Sequence, residues 1–360
     1  MENYQNPNGQ FGGENQNYVY YGTNNVNNND FLPPYDERQI KRIEKRTDKR
    51  ILRKLGSHYG LAVIIYVILS FAASFVIGLL AKKVPSLMLL FEDDTLSLAY
   101  SVVGSIIYIG LPFGLVFYSL KKKQYMGLLP FGTVYNKKAA ATLTMLCVPI
   151  MLVSSMVVNF ISLIIQEMAG MEFSSGLEDL QMPGIKGFII ATISMAVVPA
   201  IIEEFAIRGV VMQPLRRYGD KFAIVASAFI FSIMHGNMAQ IPYTVIGGIY
   251  LGYLTVATGS IWPSIILHFI NNMYSVVIMV VDTNFGTTWS GIVSMGMLAM
   301  FVALGVFGGV SFKSMNYKTT FEKGVDTLKT GNKISALFGN VPMIIAIIMM
   351  IGITITSIES

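Results

Sequence analysis

Residues 197–211, VVPAIIEEFAIRGVV, place two glutamates and an arginine inside a run that is otherwise apolar. Charged side chains are costly in hydrocarbon, so those found inside an apolar segment usually mark a functional site. The rest of the chain shows which solvent surrounds this segment. Of the 360 residues, 53% are hydrophobic and only 13% are charged, a balance typical of a polytopic membrane protein and unsuited to a soluble one.

Nine apolar segments can be recognised, and several reach the roughly 20 residues that a membrane-spanning helix needs. The fifth and sixth are short, so partial spans packed against protein are an alternative for them. A bilayer admits only helices or closed barrels, and the alternation of a barrel does not occur here. We therefore predict an all-α fold, a polytopic transmembrane helical bundle of about eight or nine membrane segments. The segments lie at about 59–81, 96–120, 139–165, 187–207, 222–236, 241–257, 261–281, 290–311 and 341–358.

The region before the first apolar segment has two parts. Residues 1–37 are rich in Asn, Gln, Gly and Tyr, which predicts a disordered tail. Residues 38–57 carry nine lysines or arginines with apolar residues at helical spacing, which predicts a basic juxtamembrane helix. Either this helix lies along anionic lipid headgroups or it simply flanks the first span. The transmembrane bundle is expected to fill residues 58–360.

Basic and acidic connections alternate along the chain. The positive-inside rule then predicts a cytoplasmic N-terminus, and we expect an integral protein of the plasma membrane. Because the positive residues gather in these connections, the net charge of +5 indicates a lipid bilayer as partner and no nucleic acid. The pair Lys82 and Lys83 is the main exception to the alternation. The basic connections lie at 38–54, 121–138, 208–221 and 313–333, and the acidic ones at 92–94, 167–179 and 282.

Few ionisable side chains lie inside the predicted spans. Glu204 and Arg208 are four residues apart and share a helix face, which predicts an ion pair. Glu203 is rotated by about 100° from its neighbour and has no such partner on its own helix. It is the better candidate for a general base. Pro199 cannot donate a backbone hydrogen bond, so it predicts a distortion of the helix just before the pair.

Two further short motifs carry polar groups on later segments. FSIMH ends at His235, and HFINN places His268 and Asn272 four residues apart on one helix face. Two histidines and a glutamate that converge can activate water, and the asparagine amide can donate to an oxyanion. A purely structural set of buried pairs and a proton-coupled transporter are the alternatives. No H-E-x-x-H motif occurs, so the common zinc-protease arrangement is excluded.

Taken in order, the three motifs EEFAIRG, FSIMH and HFINN resemble a known family. Their patterns E-E-x-x-x-R, F-x-x-x-H and H-x-x-x-N are those of the CAAX proteases and bacteriocin-processing enzymes, which include CAAX prenyl protease 2 and Abi-type proteins. The resemblance covers about residues 187–282. It implies an intramembrane endopeptidase with a polar catalytic cavity, in which a glutamate and a histidine activate the attacking water.

The resemblance also implies roles for six residues. Glu203 resembles the general base, assisted by His235, and Glu204 with Arg208 resembles a supporting pair. His268 and Asn272 resemble the groups that hold the substrate carbonyl. A zinc ion held by Glu203, His235 and His268 is an open alternative to metal-free activation of water. The expected substrate is a membrane-presented protein or peptide, with prenylation left open, and a non-proteolytic immunity or scaffold protein of the same fold is the rival function.

Overall fold

The computed structural model describes residues 37–84, 94–127, 129–174 and 180–359. The predicted disordered tail lies outside this part of the chain apart from Glu37, as do the acidic residues at 92–93 and 178–179. The described residues are overwhelmingly helical, which confirms the all-α prediction. The α-helices of the described residues are α1 Glu37–Ala81, α2 Asp94–Gly104, α3 Leu111–Lys122, α4 Lys137–Ala169, α5 Gly184–Ala191, α6 Val198–Glu204, α7 Met212–Leu215, α8 Asp220–Ile233, α9 Ile241–Thr258, α10 Trp262–Phe285, α11 Thr287–Ser314, α12 Thr330–Phe338 and α13 Val341–Thr356.

Seven of the described helical stretches are long and apolar enough to cross a membrane. An eighth candidate is the pair α12 and α13, which is bent by 76° between the two helices. The short segment at 222–236 fits the partial-span alternative. Here α8 has 14 residues, about 21 Å, which is less than the roughly 30 Å of a hydrocarbon core. The seven stretches are Glu37–Ala81, Leu96–Lys122, Lys137–Ala169, Gly184–Tyr218, Ile241–Thr258, Trp262–Phe285 and Thr287–Ser314.

Helix α1 joins the predicted basic helix to the first span without a break. Its 45 residues extend about 67 Å, more than the thickness of a bilayer. The contact with the end of α12 is close: a Cβ atom on Gly56 would lie 2.0 Å from the carbonyl oxygen of Leu337. Only glycine fits there, so the middle of α1 packs directly against the bent pair.

The last described residues, 357–359, lie at one end of the bundle, which we call the C-terminal face. Strand β1, Glu172–Phe173, pairs antiparallel with β2, Ile358–Glu359. Ser357 accepts a backbone hydrogen bond from Ser174 at 3.0 Å, and its Oγ accepts one from the Met238 amide at 3.2 Å. The turn between α8 and α9 therefore reaches this face.

The opposite end of the bundle is held by ion pairs, and we call it the basic face. Arg216 contacts Asp220 at 2.6 Å, Arg217 contacts Asp48 at 3.0 Å, and Lys333 contacts Asp326 at 2.7 Å. Helix α8 begins at the basic face, and the turn that joins it to α9 lies at the C-terminal face. Although α8 alone is too short to span, α8 and its turn together connect the two faces.

Candidate active site

The fourth span changes its helical geometry twice around the charged residues. Helix α6 is preceded by a π-helical segment, Thr192–Val197, and followed by another, Phe205–Val211. π-helical turns inside longer helices occur frequently at functional sites. Pro199 is the second residue of α6 and lacks the backbone donor that a regular helix would use there. The predicted distortion at Pro199 thus takes the form of a π-helical turn directly before α6.

Glu204 and Arg208 form the ion pair that their spacing predicts. Arg208 Nη1 donates to Glu204 Oε1 at 2.9 Å, and both side chains are fully buried. The guanidinium has two further contacts. Nη2 donates to the carbonyl oxygen of Gly248 in α9 at 3.1 Å, and the Phe231 ring centroid lies 4.7 Å from Cζ. Arg208 therefore connects the fourth span to both helices of the α8–α9 hairpin.

His268 in α10 lies between the two glutamates. Its Nδ1 is 3.0 Å from Glu204 Oε1, and its Nε2 is 3.7 Å from Glu203 Oε2. The imidazole is buried, whereas the Glu203 side chain keeps 20% of its surface exposed. When Glu204 is ionised it can only accept, so Nδ1 donates to it and Nε2 faces Glu203. His268 therefore links Glu203 to the Glu204–Arg208 pair, whereas the sequence spacing had left Glu203 separate from that pair.

His235 follows α8 and faces the same region from the turn. Its Nδ1 lies 3.0 Å from the carbonyl oxygen of Phe231, which can only accept, so this nitrogen carries the proton. In the neutral ring, Nε2 is then left as an acceptor. The Phe231 ring meets the His235 ring edge-on at 4.8 Å and the His268 ring at 6.0 Å between centroids. Phe231 thus packs edge-on against both imidazoles.

Asn272 lies one helical turn after His268, on the side toward the first π-helical segment. Its Nδ2 donates to the carbonyl oxygen of Met195 at 3.1 Å, and its Oδ1 accepts from Asn271 at 3.3 Å. An amide nitrogen has two hydrogens, so one remains for another acceptor. The structure therefore brings Asn272 to the edge of the site and groups His268 with the glutamates.

Four more residues contribute to the site, and sequence reasoning did not give them a role. Phe231 and Gly248 hold Arg208 as described above. Tyr66 in α1 and Tyr243 in α9 lie near the Glu203 carboxylate. The adjacent glycines at 247 and 248 inside an apolar helix were the available signal, because paired glycines mark close approach of another backbone. Nothing local in the sequence distinguishes the two tyrosines from the chain's other tyrosines.

The donor types of Glu203, His235 and His268 match a catalytic zinc set, but their placement does not. Within the described residues, no group of three His, Cys, Asp or Glu side chains is arranged to hold a metal ion. His268 also has both ring nitrogens directed at carboxylates. The residues as placed do not fit a three-ligand zinc site, and we derive no step through a metal.

The fold and these side chains define an all-helical integral membrane protein with a charged site buried between its helices. Residues 185–274 match the family model of type II CAAX prenyl endopeptidase Rce1-like proteins. The matched segment is 90 of the 360 residues and contains all six predicted site residues. The match confirms the resemblance to the CAAX protease family seen in the sequence. No curated protein and no solved structure matches the chain.

Proposed function

We propose that this protein is an intramembrane endopeptidase that hydrolyses peptide bonds of membrane-associated substrates, with Glu203 as the general base. The observation that carries the proposal is the asymmetry around His268. On one side stands Glu204, fully buried and paired with Arg208; on the other stands Glu203, partly exposed and without a cationic side chain in direct contact among the described residues. A carboxylate that keeps access to the cavity can receive a proton from a substrate water.

The geometry between Glu203 and His268 suits a shared water molecule. At 3.7 Å, Oε2 and Nε2 are too far apart for a direct hydrogen bond. A water beside both atoms can bond to each of them, and His235 is the proposed further assistant to its activation. Such contacts orient the water and supply a base within reach of its proton, which is the first requirement for general-base catalysis.

The proposed reaction has two steps. In the first, Glu203 takes a proton from the water while the water oxygen forms a bond to the carbonyl carbon of the scissile peptide. The second hydrogen of the Asn272 amide is the proposed donor to the oxyanion that develops. In the second step, the carbon–nitrogen bond breaks and the proton held by Glu203 passes to the leaving amine. The products are a carboxylic acid and a free amine, and Glu203 is a carboxylate again. The new acid then loses its proton to solvent, so atoms and charge balance.

Arg208 and Glu204 act in this scheme by positioning His268. The Glu204 carboxylate fixes the imidazole tautomer, much as the acid of a catalytic triad orients its histidine. Arg208 neutralises Glu204 and ties it to the Gly248 carbonyl. Neither side chain is exposed, so neither is proposed to touch the substrate.

The proposed substrate is a protein or peptide that reaches the site through the bilayer. The matching family is named for prenyl endopeptidases, so a prenylated C-terminal peptide is one candidate and an unmodified membrane peptide is the other. We further propose that the protein lies in the plasma membrane with its N-terminus in the cytoplasm. The support is the separation of basic and acidic connections onto opposite ends of the bundle.

The decisive experiment compares Glu203→Gln with Glu167→Gln in the full-length protein reconstituted into liposomes. Glu167 is an exposed glutamate near the end of α4 and serves as the matched control. Fluorogenic membrane peptides with and without a prenylated cysteine are the substrates. We expect Glu203→Gln to lower kcat/KM by at least about 100-fold and Glu167→Gln to leave it unchanged. Equal activity of the two variants would overturn the assignment of Glu203.

The same preparation separates the rival functions. An immunity or scaffold protein would show no cleavage, and its protective phenotype in cells would survive Glu203→Gln. A proton-coupled transporter would show substrate flux that depends on an imposed proton gradient and would leave all peptides intact. Cleavage by the wild type that is lost in Glu203→Gln supports the peptidase and contradicts both.

A further inference from the structure

A polar cluster joins α1 and α3 near the basic face, and its contacts involve none of the six predicted site residues. The Nε2 atom of His58 lies 3.2 Å from Ser119 Oγ and 3.1 Å from Lys123 Nζ. The Nδ1 atom lies 2.7 Å from the carbonyl oxygen of Lys54, so it carries the proton and Nε2 is the acceptor. A hydroxyl and an ammonium group therefore converge on one point.

The surroundings of this cluster are strongly positive. Arg53, Lys54, Lys121 and Lys122 are exposed and lie within about one helical turn of its members. No aspartate or glutamate occurs at positions 49–91 or 95–166, the stretches that carry these residues. An anion that approaches the junction therefore meets cations without a competing carboxylate from either stretch.

Two donors and several cations at one point suit a phosphate group. Phosphate oxygens accept charge-assisted hydrogen bonds from ammonium and hydroxyl groups, and these are stronger than bonds between neutral partners. A phosphate oxygen would replace the imidazole nitrogen as the acceptor for Ser119 and Lys123. The shared chemistry so far would serve a free phosphate ion or a lipid headgroup equally well.

The apolar residues beside the cluster favour a lipid. Leu61 lies three residues after His58 in α1, and Leu115 lies four residues before Ser119 in α3. Each leucine therefore shares a helix face with a member of the cluster and lies one turn farther from the basic face. Their side chains are 51% and 54% exposed. A phosphate seated on the cluster would thus have an apolar surface directly below it, which fits an acyl chain. We propose that Ser119 and Lys123 bind the phosphate of an anionic phospholipid, whose oxygen takes the place of His58 Nε2 as their acceptor.

The test measures lipid binding to the full-length protein by native mass spectrometry. Phosphatidylglycerol and phosphatidylcholine are titrated into the detergent-solubilised wild type and into Lys123→Ala and Ser119→Ala. Lys186→Ala, an exposed lysine at the start of α5, is the matched control. We expect phosphatidylglycerol affinity to fall about three- to tenfold in each cluster variant and to be unchanged in the control. A thermal melt of each variant confirms that it is folded.

Three results would overturn the proposal. One is equal affinity of wild type and cluster variants for phosphatidylglycerol, and another is equal binding of phosphatidylcholine by the wild type. The third comes from a separate titration with inorganic phosphate. If phosphate alone displaces phosphatidylglycerol at matched concentration, the cluster is a site for the free anion and the lipid assignment is wrong. None of these results depends on peptidase activity.

Discussion

The imidazole of His268 and the carboxylate of Glu204 are joined by a 3.0 Å contact between Nδ1 and Oε1, across 64 residues of sequence. The same carboxylate oxygen accepts from Arg208 at 2.9 Å. Glu204 therefore holds a cation from its own helix and a histidine from α10 at once. We therefore expect the removal of Glu204 to loosen the packing between these helices, and the removal of Glu203 to affect the proposed chemistry.

We expect Glu204→Ala to destabilise the protein strongly, because it leaves the Arg208 guanidinium buried without its counter-charge. Breaking a buried ion pair in this way costs about 3–5 kcal/mol. Glu203→Ala should cost much less, since Glu203 is partly exposed and has no direct salt bridge to a lysine or arginine within the described residues. Thermal unfolding of both variants in the same detergent measures the difference. Equal melting temperatures of the two variants would show that Glu204 contributes no more to stability than Glu203 does.

Lysine should not replace arginine at position 208. A lysine can pair with Glu204 but lacks the planar fork that reaches the Gly248 carbonyl and stacks over Phe231. We expect Arg208→Lys to lose roughly 1–3 kcal/mol of unfolding free energy and to lower the peptidase activity with it. Arg38→Lys, on the exposed start of α1, should change neither quantity. Wild-type behaviour of Arg208→Lys would mean that charge alone is needed.

Gly248→Ala should push α8 away from α9. A Cβ atom at position 248 would lie 2.9 Å from the Cβ of Ala228 and 3.0 Å from its Cα. Such overpacking typically costs about 1–3 kcal/mol. The double variant Gly248→Ala with Ala228→Gly removes one of the two clashing atoms and should recover part of the loss in a thermal melt. The control Gly291→Ala has open space around its Cβ position and should be neutral.

The zinc alternative can be decided by elemental analysis of the purified protein. We expect less than stoichiometric zinc, because the described residues hold no cluster of three suitable side chains. Activity should then survive dialysis against a chelator. One zinc per protein that is lost in His235→Ala would contradict this expectation and show that the three side chains move together when metal binds.

The orientation of the protein in the membrane can be measured by labelling single cysteines. The natural Cys147 is buried, so a Cys147→Ala background leaves a clean surface. We expect Glu172→Cys, on the C-terminal face, to react in intact cells with a maleimide that cannot cross membranes. Lys318→Cys, in the connection at the basic face, should react only after the cells are permeabilised. The reverse pattern would invert the predicted topology.

Local patterns predicted much of this fold because helices depend on neighbours in sequence. The apolar runs indicate the spans, and the spacing of Glu204 and Arg208 indicates their ion pair. The shortness of the 222–236 run also indicated a partial span, and α8 has only 14 residues before its turn. A basic helix before the first span was predicted too, but not that it continues without a break from Glu37 to Ala81.

The candidate site shows the same division. The motifs pointed to the six side chains, and spacing predicted the Glu204–Arg208 contact, but the contacts between different helices were not predicted. His268 was grouped with Asn272 because the two share a helix face, whereas packing of α10 against the fourth span brings it to Glu204. The Gly248 carbonyl could not be found from any motif, since a backbone acceptor carries no signature in the side-chain sequence. Contacts between distant segments follow from packing, which a single sequence does not display.

The turn that carries His235 is held by contacts from the first helix and from the residues that follow the last helix. Tyr66 in the first helix contacts the Met234 carbonyl at 3.5 Å, and Ser357 binds the Met238 amide at 3.2 Å. Beside it, a Cβ on Gly236 would meet Ile353 at 2.9 Å. During biosynthesis, all six site residues are translated before the final helix exists. The turn gains its last support only when α13 is inserted. We therefore expect the proposed peptidase activity to be absent from a ribosome-bound chain that still lacks this helix.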